Sequence, residues 1–316
     1  MRETGLPFDD IKNLVANLPE FDADAFAHTQ NQLVEAGFKD GDTMRDSCEW
    51  YSAWSGRSPA VHRGVVTLFA GTHTLDNAIT NNSASEDTLQ EVTDISSGSS
   101  VLNRLCHQHD LGLKLFDLAL QLPVADISEE PALDEKSCAG TIAFGMEAIA
   151  GGADLLCIAA LEPHVSASNV AILTFLHSLD VSKVAKTFGF PEDNLIAAIN
   201  LVKGNEKNPL EVLRRLGGRE TAALCGAILA ARSQHIPVVL DSVAALASAS
   251  VLYHLNENSI SHCKFAQDFE QFDKDIVASL NAETVVKGQL ASNSSYSVAI
   301  AGGLIKSSCL ALQGRA

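Results

Sequence analysis

The chain contains no C-x-x-C pair, no uninterrupted apolar run approaching the ~20 residues that span a bilayer, and no excess of basic side chains. Each absence removes a class of function. The seven cysteines, Cys48, Cys106, Cys138, Cys157, Cys225, Cys263 and Cys309, are scattered and odd in number. That argues against a disulfide framework or a zinc ribbon and leaves them as small buried hydrophobes. With 39 acidic against 22 basic residues and a formal charge of −17, the chain lacks the clustered Lys and Arg that hold nucleic-acid phosphates or an anionic membrane. It also lacks a G-x-G-x-x-G, a Walker-type loop, an H-E-x-x-H and any other metal-ligand spacing, and its histidines are dispersed. Neither a cofactor nor a metal is expected. The opening MRETGLPFDDIKNL is charged where a signal peptide needs an apolar core, which points to the cytoplasm.

What is present suits an α/β protein. Hydrophobic residues, 46% of 316, can fill one large core and a small satellite. Residues 8–57 carry helical spacing, as in Ile11, Leu14, Val15 and Leu18, and predict two or three amphipathic helices. Gly64–Gly71 is a short, β-branched apolar run closed by glycine, the pattern of a strand buried on both faces. The polar stretch Thr80–Ser100 predicts a surface loop beside a helix, Leu111–Leu118 a strand, and Gln121–Ser137 an exposed connection. From there the order is regular: helix Gly140–Ile149, strand Asp154–Leu161, helices Ser168–Leu179, Asp193–Val202, Pro209–Leu216 and Arg219–Ser233, then strand Pro237–Leu240. Val243–Ala316 reads as helices joined by polar loops. Helices alternating with short buried strands imply a mostly parallel, Rossmann-like sheet flanked by helices. The expected division is a large α/β domain over 61–264 and a small helical domain from 1–60 and 265–316. The small domain would pack over the carboxyl ends of the strands, where open α/β sheets place ligands.

Asn208–Asp241 reads without a break as loop, helix, Gly-Gly turn, helix and buried strand. Its residues Pro209-Leu210-Glu211-Val212-Leu213, Gly217-Gly218-Arg219-Glu220, Gly226–Arg232 and Ile236–Asp241 closely resemble the nicotinate-nucleotide:dimethylbenzimidazole phosphoribosyltransferases, which make the lower-ligand nucleotide of cobalamin. The resemblance runs over roughly residues 8–310 and implies a homodimer. Its substrates would be nicotinate mononucleotide and a benzimidazole-like base, with the nucleotide held between Gly71–His73, Glu162–Ser168 and Gly217-Gly218.

Residue by residue, the resemblance is uneven. After the first strand the family reads Ala-Gly-Asn-His-Gly or Ala-Asp-His-Gly; His73 falls on its histidine, beside Thr72, and Thr74 replaces the glycine. Without the resemblance, a lone loop histidine serves either as a structural hydrogen-bonding residue or as a substrate-contacting one. After the strand Asp154–Ile158 the family carries Gly-Glu-Met-Gly-Ile-Gly-Asn-Thr-Thr, glycines that let backbone approach a phosphate. Here Ala159–Ser168 has none, and either Ala160 or, with a two-residue slip, Glu162 takes the glutamate position. Glu162 and His164 form either an acid/base pair or an ordinary solvated pair; Ser166 or Ser168 caps the next helix, whose N-terminus still favours a negative group. Where the family has Leu-Gly-Glu-Gly-Ser-Gly-Ala-Ala, with its glutamate as general base, Ser292 or a neighbour stands in Lys287–Ala299. A phosphate-binding lysine expected near Ala197–Ile199 is missing, and Asp241-Ser242 replaces an Asp-Gly. Substrate contacts are therefore expected from Thr72, His73, His164, Ser166, Gly217, Gly218, Asp241 and Ser292, with Glu162 as the catalytic base. Three functions stay open: family phosphoribosyl transfer, a non-catalytic paralogue acting as a binding or regulatory partner, and an enzyme with a changed substrate.

Overall fold

The computed structural model describes residues 7–269, 275–310 and 312. Three helices come first, α1 (Phe8–Ala16), α2 (Ala23–Glu35) and α3 (Thr43–Ser55). The Asp22 carboxylate caps α2 by accepting the Ala25 N–H at 2.8 Å. The strand β1 (Gly64–Ala70) is buried at every position, as its non-alternating apolar run requires. Helices α4 (Thr74–Thr80), α5 (Ser83–Ser96) and α6 (Val101–Gln108) lead to β2 (Gly112–Asp117). Helix α7 (Glu135–Gly145) and a 3-10 turn feed β3 (Leu155–Ala160). Then α8 (Ala167–Leu176), α9 (Val181–Phe188), α10 (Glu192–Val202), α11 (Pro209–Leu216) and α12 (Arg219–Ser233) precede β4 (Val238–Asp241), and α13 (Val243–Leu255) precedes β5 (Cys263–Phe265). Last come α14 (Asp275–Ser279), β6 (Glu283–Thr284) and α15 (Ser294–Leu310).

The six strands form one sheet in the order β2-β1-β3-β4-β5-β6, and every pairing is parallel. The fold is the expected α/β arrangement of a parallel sheet flanked by helices. After β1 the chain places β2 on one side and then returns to place β3 on the other. The loops leaving the carboxyl ends of β1 and β3 therefore diverge, and a crevice opens between them.

Two parts depart from the sequence reading. The C-terminal third holds two strands where helices and loops were expected. Strands β5 and β6 are three and two residues long, too short to show a period, and β5 carries a lysine. That lysine, Lys264, is buried and pairs with Glu283 on β6 at 2.7 Å, so neighbouring strands satisfy what the sequence alone marks as loop. Helices α6 and α9 occupy stretches for which no element was expected. Residues 1–6, 270–274, 311 and 313–316 of the expected small helical domain lie outside the described residues.

Helices cover both faces of the sheet. On one face α12 lies against α7 at backbone distance: a Cβ on Gly226 would stand 1.8 Å from the Ile142 carbonyl oxygen, and one on Gly145 would stand 1.9 Å from that of Ala223. On the other, α15 crosses β1, β3 and β4 beside α3 and α6, joining Trp50, Tyr51, Val66, Leu68, Cys157 and Val298 in one apolar cluster. Among the described residues no helix is long and apolar enough to cross a membrane.

Candidate active site

The crevice after β1 and β3 holds a small cavity of about 20 Å³, lined by Gly71, Thr72, His73 and Asp76 from the first loop, Leu161, Glu162, His164 and Ser166 from the second, Ala84, Ser85 and Thr88 of α5, and Glu220 of α12. Thr72 is fixed from behind, its hydroxyl donating to the Leu120 carbonyl at 2.9 Å. His73 is buried, with Nε2 at 3.0 Å from Glu220 Oε1 and Nδ1 at 3.0 Å from Ser168 Oγ. The chain of bonds continues: the Thr221 hydroxyl donates to Asn169 Oδ1 at 2.6 Å, and the Asn169 amide donates to Glu162 Oε1 at 2.6 Å. Glu162 Oε2 accepts the Ala244 N–H at the start of α13 at 3.1 Å. One network thus runs from Ser168 through His73 and Glu220 to Glu162.

Two glycines make room for it. A Cβ on Gly71 would lie 2.1 Å from Glu220 Oε2, and one on Gly218 would lie 2.2 Å from Glu220 Oε1 and 2.4 Å from His73 Cε1. The requirement here is close approach, not an unusual φ.

Burial and charge together set the protonation states. Burial favours the neutral His73 ring, but the Glu220 carboxylate outweighs it by charge and hydrogen bond and pushes the imidazole up to about 9. The same partner works the other way on Glu220, where burial opposes ionisation and the His73 charge wins, holding the carboxyl below its ordinary range. Glu162, half-buried, has no directly bonded counter-ion, and the His73 charge lowers it only weakly. Burial pushes it up to about 7; the Ala244 N–H and Asn169 amide oppose the rise and the Glu220 charge adds to it. A carboxylate poised near 7 can take or give a proton at neutral pH.

The two residues that could take the glutamate position after β3 lie in different surroundings. Ala160 is the last residue of β3, buried, its N–H donating to Ser242 Oγ at 3.1 Å, whereas Glu162 faces the cavity. His164 sits at the rim and pairs with Asp87 of α5 at 2.6 Å. Ser166 caps α8, its hydroxyl accepting the Ser168 N–H at 3.2 Å.

The remaining expected residues lie off the cavity wall. Gly217 is an ordinary helix end, where a Cβ would meet the Leu213 carbonyl oxygen at 2.6 Å. Asp241 is buried beyond Glu162, where burial pushes its carboxyl up to about 6 against hydrogen bonds from the Ser297 hydroxyl, the Ser242 N–H and the Gln267 amide. Gln267 also bonds the backbone of Leu290 and Ala291, so the segment carrying Ser292 is tied beside Asp241 while Ser292 itself is exposed. Glu220, Asp76 and Asn169 were not singled out in the sequence. A carboxylate opening the otherwise apolar run Thr221–Ala231 was the available signal for Glu220; Asp76 gave none. Among the described residues no three His, Cys, Asp or Glu side chains gather into a metal-binding group.

A protein-family model described as phosphoribosyltransferase matches residues 20–316. The nicotinate-nucleotide–dimethylbenzimidazole phosphoribosyltransferase of Rhizobium meliloti is 41% identical over 280 residues, covering 83% of this chain and 81% of its own length. The protein of the same name from Brucella melitensis biotype 1 is 38% identical over 328 residues, covering 100% and 97%. The crystal structure of the Thermus thermophilus protein of that name superposes with a TM-score of 0.79 at 19% identity, over 92% of this chain and 96% of that one, and shows the fold to be shared. The chain belongs to the nicotinate-nucleotide:dimethylbenzimidazole phosphoribosyltransferase family.

Proposed function

We propose that the protein transfers phosphoribose from nicotinate mononucleotide to a ring nitrogen of a benzimidazole-type base, with Glu162 as the catalytic carboxylate. The observation that carries this reading is Glu162 itself, presented at the carboxyl end of β3 and pushed up to about 7 by burial. The ring nitrogen of the base attacks the anomeric carbon, the bond to nicotinate breaks, and nicotinate leaves with the electron pair. The N–H proton of the base passes to Glu162. The negative charge of the surrounding carboxylates favours the oxocarbenium-like character of the ribose in the transition state. Thr72, His73, His164, Ser166 and Gly218 form the nucleotide side, and the segment carrying Ser292, tied beside Asp241, the side that receives the base. The family resemblance further supports a homodimer working in the cytoplasm. The relatives' names give the non-catalytic alternative no support.

The test is incubation of the purified protein with nicotinate mononucleotide and dimethylbenzimidazole, with mass spectrometry for the ribazole phosphate and an active relative as positive control. Product above the uncatalysed background supports the reading. No product under conditions where the relative is active overturns it.

A further inference from the structure

The inner end of the cavity has three features that agree on the chemistry it accepts. The first is an orphan acceptor. Glu220, which lines the cavity, is 2% exposed; its Oε1 bonds His73 and Thr221, while its Oε2 is buried beside Gly71 with no hydrogen-bond partner. A buried carboxylate oxygen without a donor is costly, and a ligand hydroxyl would satisfy it. The second is size, since about 20 Å³ is room for about one water-sized group. The third is the state of the α8 N-terminus, where a phosphate would ordinarily dock on free backbone donors. The first of those donors, the Ala167 N–H, is already taken by the buried Asp76 carboxylate at 2.9 Å. A phosphate approaching there would meet the charge of Asp76, with Glu162 and Glu220 close by.

We infer that the inner cavity takes a pentose hydroxyl on Glu220 and that Asp76 shuts the α8 N-terminus to phosphate, so the donor's phosphate lies outside this pocket. The inference rests on the proposed ribose transfer for the identity of the pentose, but the exclusion of phosphate can be read without turnover. Glu220 acts as a specificity determinant, because a carboxylate oxygen suits the donor hydroxyls of a ribose and repels the acceptor oxygens of a phosphate.

Two measurements test it. In the first, wild type and Asp76→Asn are titrated with inorganic phosphate while the Ala167 amide resonance is followed. Asparagine keeps an oxygen for that N–H and removes only the charge. The expected result is phosphate affinity at Ala167 at least about tenfold higher in the variant; equal affinity in the two proteins overturns the exclusion. In the second, wild type is supplied with nicotinate mononucleotide and its 2′-deoxy and 3′-deoxy forms. One deoxy donor should lose roughly 10- to 100-fold in kcat/KM, since the bond lost is to a charged group; equal use of all three overturns the hydroxyl assignment. If the ribonucleotide itself is not turned over, the transfer reading fails, and the phosphate titration still decides the role of Asp76.

Discussion

The α7–α12 seam and the His73–Glu220 pocket are both places where glycine lets a neighbour come closer than any side chain would allow. At the seam the neighbour is backbone: Gly226 meets the Ile142 carbonyl and Gly145 that of Ala223. In the pocket it is a charged side chain, with Gly71 and Gly218 flanking the Glu220 carboxylate. The seam joins apolar helices, and its Cys138 and Cys225 thiols are pushed up by burial and stay neutral between pH 6 and 9; the pocket encloses groups whose protonation depends on one another. The same local device thus serves cohesion in one region and the placement of charge in the other. Stability at the seam should be indifferent to pH, and stability at the pocket should not.

The strongest test of that contrast is Glu162→Gln. Removing the proton acceptor should lower kcat by roughly 10²–10⁴-fold, measured under saturating substrates. The same change should stabilise the protein at alkaline pH. A carboxyl raised from 4.5 to about 7 costs stability progressively as pH climbs through that range, and the cost persists above it. Allowing for partial exposure, the gain in unfolding free energy at pH 8 should be on the order of 1–2 kcal/mol. A variant that lost activity and stability together would point to misfolding, and full turnover would end the catalytic assignment.

Next is Glu220→Gln, which leaves the buried His73 without its counter-ion and should cost about 3–5 kcal/mol in chemical denaturation near neutral pH. In wild type the imidazole, raised from 6.5 to about 9, contributes fully below 6.5 and loses its contribution as pH rises through about 9. The Glu220 share, with its carboxyl held below 4.5, is present above that value and lost as pH falls through the lowered one. The variant should therefore lack the part of the alkaline decline that His73 causes. An unchanged pH profile would mean that the pair is not ionised.

At the seam, Gly226→Ala must push two helices apart at backbone level, which should cost roughly 2–3 kcal/mol, equally at pH 6 and pH 9. A marked pH dependence would break the comparison. The smallest effect belongs to Ser242, held at φ 100° while its hydroxyl accepts from Ala160 and Ala245. Ser242→Ala keeps the strained backbone and loses both bonds, for about 1–2 kcal/mol. Ser242→Gly loses the same bonds but relieves the strain, so it should be less destabilising than alanine by about 1 kcal/mol in thermal unfolding.

Ser242 also shows how far the sequence could be read. The replacement of an Asp-Gly by Asp241-Ser242 was visible at once, but the positive φ that gives the glycine its reason was not. The sequence by itself determined the α/β class, the buried strands β1, β3 and β4, and the helices α11 and α12, because apolar periodicity, proline at a helix start and glycine at its end are local signals. It also marked His73 and Glu162 as loop residues after consecutive inner strands. Only the tertiary structure decided that β5 and β6 extend the sheet, since strands of two or three residues draw their stability from partners and carry no period of their own. Only the tertiary structure, likewise, brought Glu220 from α12 onto His73, 147 positions away, and turned Asp76 onto the first N–H of α8. Burial and the distance between charges are properties of the folded chain, and they set both the protonation of Glu162 and the partner that Glu220 still lacks.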